Sequence, residues 1–114
     1  MPVVFIISEE WMLRAGVRAE LREKGIKAFG LESAEDVERA IANGESPQAL
    51  VIDGHAKAAS APAVQELSGR VPAIVIAPRT TTIALGSAAK VLFRPVQVGE
   101  VVVAVIDLLS GSRA

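Results

Sequence analysis

The chain has no cysteine and no tyrosine, and only one histidine, one tryptophan and three phenylalanines in 114 residues. Without cysteine there is no disulfide framework and no thiolate metal site, which fits a reducing compartment. The single histidine, His55, cannot seed a histidine metal cluster. Aromatic residues at 4% leave no platform for stacking bases. A formal net charge of -1 gives no electrostatic reason to expect nucleic acid or an anionic membrane. The longest apolar run, Val101 to Ile106, is far too short to span a bilayer. No basic leader precedes the strand-like run that follows Met1-Pro2. A cytoplasmic, stand-alone domain is expected. The phosphate cradles GxGxxG and GxxxxGK[ST] are missing too, as is any nucleophile elbow with a Ser-His-Asp arrangement.

What is present is alternation. At 51% hydrophobic, the chain suits one core, with residues 1–110 as the domain and 111–114 as a disordered tail. Val3 to Ile7 is short, continuous and β-branched, as a strand buried on both faces would be. Ser8 reads as an N-cap with Glu9 and Glu10 in the first turn. The helix that follows puts Leu13, Val17 and Leu21 on one face and a charged strip, Arg14, Arg18 and Arg22, on another, and closes at Lys24-Gly25. Ile26 to Leu31 is a weaker strand. Ser33 and Asp36 form a capping-box pattern ahead of an inward stripe of Val37, Ala40 and Ile41, ended by Asn43-Gly44.

Ala49 to Ile52 is the third strand, and Ser60 to Ser68 a short helix with Pro62 in its first turn. Pro72 to Ile76 and Lys90 to Phe93 are the fourth and fifth strands. Between them, Thr80 to Ala89 supports one or two helical turns at most, so the fourth helix is expected to be short or missing. Val98 to Leu109 suits a strand by its β-branching and a helix by its length; the regular alternation favours the helix. Its inward residues would be Val102, Val105, Ile106 and Leu109. Val98, Val101 and Val103 would then be left for a wide buried face or a partner surface. The expected fold class is α/β, a single-domain flavodoxin-like (βα)5 sandwich whose parallel five-stranded sheet runs in the order 2-1-3-4-5.

Three of these strands end on chemistry. The first runs into Ser8-Glu9-Glu10, the third into Asp53-Gly54 and the fifth into Arg94-Pro95. Open parallel sheets place ligands at this carboxyl edge. Each residue also has a plainer reading. Asp53 suits a turn, Glu9 suits a helix start, Glu10 suits solvent, and Arg94 suits the solvated flank of a strand. His55 suits a surface loop, and Trp11 either a partner anchor or local packing.

The register of these residues, from Val3 to Leu109, resembles a response-regulator receiver domain of the CheY-like family, in a degenerate, pseudo-receiver form. In that family an acidic pair after the first strand and an aspartate after the third hold a divalent cation, and the aspartate accepts a phosphoryl group from a histidine kinase. The resemblance implies that Asp53 stands at the phosphoacceptor position, and that Glu9, Asp53 and the backbone carbonyl of His55 form a weak Mg²⁺ site. It also makes Arg94 the phosphate contact. Three positions depart from the family: Ser8 stands for the first acid, Ala77 for the switch hydroxyl and Val91 for the switch aromatic. Ser8 removes a charge from the cation site, and Ala77 cannot hydrogen-bond a phosphoryl oxygen. Arg94 keeps the charge of the family's lysine but presents a planar fork.

The function this implies is a non-enzymatic, receiver-like signalling domain of a two-component or phosphorelay system. It would act on a protein partner, either a histidine kinase or a downstream effector, with pairing of two copies through the Val98–Leu109 helix as a further expectation. The alternative is a small-ligand binder or enzyme using the strand-end cleft of the same scaffold.

Overall fold

The computed structural model describes residues 1–78 and 88–111. Strands β1 (Val3–Ile7), β2 (Lys27–Leu31), β3 (Ala49–Asp53), β4 (Ala73–Ala77) and β5 (Ala88–Phe93) alternate with helices α1 (Trp11–Glu23), α2 (Ala34–Ala42), α3 (Pro62–Ser68) and α4 (Val98–Gly111). A 3-10 turn at Lys57–Ser60 precedes α3. All strand pairs are parallel, in the order β2-β1-β3-β4-β5, as expected. The expected short fourth helix falls on residues 79–87, which lie outside the described residues, as do residues 112–114 of the expected tail. Gly111, placed in that tail by the sequence, is the last residue of α4.

The continuous apolar runs are explained by a core on each face of the sheet. Val4, Ile6, Val51, Ile74 and Ile76 point to α1 and α4, while Phe5, Ile7, Leu50, Ile52 and Val75 point to α2 and α3. A strand covered on both sides has no solvent face on which polar residues would alternate. The central strands β3 and β4 are buried along their whole length.

Several local expectations change. Helix α1 starts at Trp11 with Glu10 at its N-cap, and no side chain caps it. Ser8 is therefore not the cap, because its hydroxyl is used inside the sheet edge. The capping box of α2 forms, with Ser33 Oγ accepting from the Asp36 N–H at 3.2 Å. The Asp36 carboxylate reaches one residue further back than the pattern implies, accepting from the Glu32 N–H. Ile41, expected to face inward, is 40% exposed, since Val37 and Ala40 already fill the stripe this short helix presents. In α4 the buried residues are Val101, Val102, Ala104 and Val105, with Ile106 and Leu109 only half-buried. Of the three leftover valines, Val98 packs on the core and Val101 is buried, so Val103 alone of them stays exposed.

Helices α1 and α4 meet at Gly16, where an added Cβ would lie 2.8 Å from Val98 Cγ2. Gly25 (φ 81°) and Gly44 (φ 92°) turn the chain out of α1 and α2 in the left-handed region that a Cβ disfavours.

Gly16→Ala is expected to destabilise the fold, because overpacking of about 1–3 kcal/mol exceeds the roughly 1 kcal/mol of helix propensity gained. Urea unfolding should show the loss, and Val98→Ala in the same chain should recover part of it. The Glu32 N–H holds the Asp36 carboxyl below its ordinary value of 3.8, slight burial opposes this, and the Ser33 N–H and Arg39 add to it. A depressed folded value contributes stability that is complete above 3.8 and lost as pH falls through the lower folded value. Asp36→Asn should flatten that acid limb in thermal midpoints measured on either side of 3.8.

Candidate functional site

The parallel pairing brings the carboxyl ends of β1, β3 and β5 to one edge. Ile7 lies opposite Ile52, Asp53 opposite Ile76, and Ala77 opposite Phe93. The residues that follow β1 and β5 therefore flank Asp53. Its side chain is 2% exposed, so a carboxylate charge here would have almost no access to water. Such a charge persists only if the protein supplies donors.

Three donors are supplied. Ser8 Oγ donates to Asp53 Oδ2 at 2.8 Å, Arg94 Nη2 donates to the same oxygen at 2.8 Å, and the His55 N–H donates to Oδ1 at 3.1 Å. Arg94 also places Nη1 at 2.9 Å from Glu10 Oε2. Its planar fork thus spans two carboxylates, one at the end of β3 and one at the start of α1. Burial works against the charged guanidinium, but the Asp53 and Glu10 carboxylates outweigh it, so Arg94 holds its proton more firmly than a free arginine. Its buried Nε has no hydrogen-bond partner among the described residues.

A second layer positions the first. The Ser8 hydroxyl also accepts from the Glu10 N–H at 3.1 Å, which fixes the bend between β1 and α1. Arg14 Nη1 donates to the Ser8 carbonyl at 2.8 Å. Its stem lies across Gly30, where a Cβ would come within 3.0 Å of Arg14 Cγ. Glu9 turns toward the other wall and accepts from the Lys57 N–H at 2.9 Å. The result is an open hollow of about 340 Å³ lined by Glu9, Glu10, Asp53, His55, Ala56 and Arg94.

The structure thus brings Ser8, Glu9, Asp53, His55 and Arg94 together. His55 enters through its backbone N–H, and its side chain is exposed. Ala77 is buried at the end of β4, while Val91 is 42% exposed on β5. Trp11 is 67% exposed at the start of α1. Glu10, expected to be solvated, is exposed and is also the second partner of Arg94. The expected arginine strip also loses Arg14 to Ser8, and Arg22 Nε to the Ala28 carbonyl. Spacing could not reveal the Glu10–Arg94 pair, whose members lie at opposite ends of the chain. Arg14, one turn into a helix that follows a strand-end serine, was open to inference.

Mg²⁺ takes about six oxygens and tolerates little distortion. Here both Asp53 oxygens and one Glu9 oxygen already accept hydrogen bonds, and a guanidinium sits on Asp53. Hydrogen-bond donors thus occupy the carboxylate oxygens that a divalent cation would need, and the Arg94 guanidinium, held by Asp53 and Glu10, supplies the positive charge. Among the described residues, no three or more His, Cys, Asp or Glu side chains gather as metal ligands.

Neither a protein-family model nor a curated protein matches the chain in sequence. Solved structures do match in shape. The Francisella response regulator 1452 receiver domain superposes with a TM-score of 0.77 at 16% identity, covering 98% of this chain and 99% of that one. A response regulator receiver protein from Burkholderia phymatum gives 0.77 at 20% identity, with 96% of each chain covered. A CheY-like receiver domain protein from Methanospirillum hungatei JF-1 gives 0.79 at 11% identity, covering 99% and 97%. Over its described residues the chain has the receiver-domain fold.

Ser8→Ala should cost about 2 kcal/mol, since it removes a hydrogen bond to a buried charge. Added to Asp53→Ala, it should cost much less. A double-mutant cycle read by urea unfolding measures that coupling, and simple additivity would separate Ser8 from Asp53 energetically.

Proposed function

We propose that this chain is a receiver-like signalling domain of a two-component or phosphorelay system, working in the cytoplasm through contacts with a histidine kinase or a downstream effector. Its output is set by internal polar contacts rather than by phosphate. One observation carries this reading: the carboxylate at the phosphoacceptor position is buried, and the chain's own Ser8, His55 and Arg94 bond both of its oxygens.

Phosphoryl transfer depends almost entirely on positioning and on neutralising charge. An attacking Asp53 oxygen would have to leave Ser8 or Arg94, or else the His55 N–H. At the end of β4, where the family has a hydroxyl, this chain has the buried Ala77, which has none to offer a phosphoryl oxygen. The switch is incomplete on the far side as well, because Val91 has no ring to swing inward.

Support for an enzyme or metabolite binder is weaker. The hollow is open, and its polar lining is mostly carboxylate, whereas ligand pockets are mainly apolar with a few placed polar groups. Among the described residues, the Ser8 hydroxyl at this edge is bonded to Asp53, and His55 joins through its backbone N–H with its side chain exposed. Within the proposal, a homodimer through the Val98–Leu109 helix is the finer expectation. It would rest on exposed Val103 and on a hollow of about 230 Å³ formed by Lys24, Val102, Val103, Ile106 and Asp107.

Incubation with acetyl phosphate and Mg²⁺ should leave the intact mass unchanged, and beryllofluoride should leave Trp11 emission unchanged. A phosphoryl mass gain that disappears in Asp53→Asn would overturn the phosphate-independent reading.

A further inference from the structure

A buried carboxylate needs a counter-charge, and two kinds could serve at this edge: an exchangeable metal ion, or a cation built into the chain. The sequence removes an acid at Ser8, which lowers the charge that would hold a metal. It also places a two-armed cation at Arg94. The structure joins these two facts. Ser8 donates to Asp53 rather than accepting a ligand, and the Arg94 fork bridges Asp53 Oδ2 and Glu10 Oε2 at 2.8 and 2.9 Å.

We propose that the Arg94 guanidinium takes the electrostatic place of the divalent cation, as a tethered and non-exchangeable counter-charge that keeps this edge in one arrangement whether or not Mg²⁺ is present. This deepens the proposed function and rests on its placing of Asp53 at a receiver-like strand edge.

The geometry bears on the claim in three ways. First, Arg94 ties together three elements, since it follows β5, contacts the end of β3 and reaches the residue before α1. An ion held by Glu9 and Asp53 would draw together the ends of β1 and β3, two of the three elements that Arg94 joins. Second, the guanidinium is about three-quarters buried, at 24% side-chain exposure, so bulk water screens its pairing with Asp53 only partly. Third, every hydrogen-bond partner shown for the Asp53 carboxylate is a donor, and the one orphaned buried side-chain atom among the described residues, Arg94 Nε, is a donor as well. A divalent ion here would have to expel the guanidinium or share Asp53 with it. Sharing sets two positive centres against one carboxylate.

Mn²⁺, standing in for Mg²⁺, is the probe, with free ion counted by electron paramagnetic resonance. The intact chain should show no saturable binding up to about 1 mM, the loosest range for such oxygen sites. Arg94→Met frees Asp53 and Glu10 together and should tighten Mn²⁺ binding by about tenfold or more, because ligand charge sets affinity at oxygen sites. Adding Asp53→Asn should abolish that gain.

If Arg94→Met does not fold, Arg94→Lys decides, since a single ammonium cannot span both carboxylates; a smaller gain is then expected. Saturable binding by the unaltered chain below about 1 mM overturns the proposal. So does a folded variant that binds no more tightly than the unaltered chain. The two readings fail separately. A phosphoryl mass gain without Mn²⁺ binding removes the phosphate-independent function and leaves the cation replacement standing. Mn²⁺ binding without a mass gain does the reverse.

Discussion

A buried carboxylate at the end of the third strand is the constraint around which this edge of the molecule is arranged. Asp53 lies inside the sheet edge, and a charge there is tolerable only when donors surround it. Each donor comes from a different part of the chain: the end of the first strand, the residue two past the aspartate, and the end of the fifth strand. Satisfying Asp53 therefore adds side-chain ties between elements already joined by the sheet's backbone ladders and by the apolar core. The core gives the domain its stability, and the polar edge gives it a definite arrangement there.

A second consequence concerns charge. Glu9, Glu10 and Asp53 crowd one edge, and Arg94 is the cation among the residues lining their hollow. Arginine suits this position better than lysine because two of its nitrogens can serve two acids at once while the plane stays fixed. Glu9, turned to the Lys57 N–H, is left at the rim. Each acid at this edge already has a partner within the chain.

How far the sequence could be read depended on the range of the interaction. The buried strands were legible because burial on both faces removes polar residues from Val3–Ile7, Ala49–Ile52 and Pro72–Ile76. The strand order followed from strict alternation and the handedness of crossovers. The start of α1 was misplaced because a serine before two acids looks like a cap in isolation. The competing demand on its hydroxyl comes from Asp53, far away in the chain. The inward face of α4 was legible in part: Val102 and Val105 are buried and Ile106 and Leu109 pack on the core, but Val101 and Ala104 join them because the helix buries a wider face than one stripe.

By itself, then, the sequence determined the class of fold, the order of its strands, and the meeting of Ser8, Glu9, Asp53 and Arg94 at one edge. These follow from local patterns and from the few ways such patterns can be wound. Only the tertiary structure decided which group each of them holds: Ser8 and Arg94 on Asp53, Glu10 on Arg94, Glu9 on a backbone N–H. Hydrogen bonds are short and directional, and their partners depend on ångström-scale placement of segments distant in sequence, which no pattern of residue types encodes.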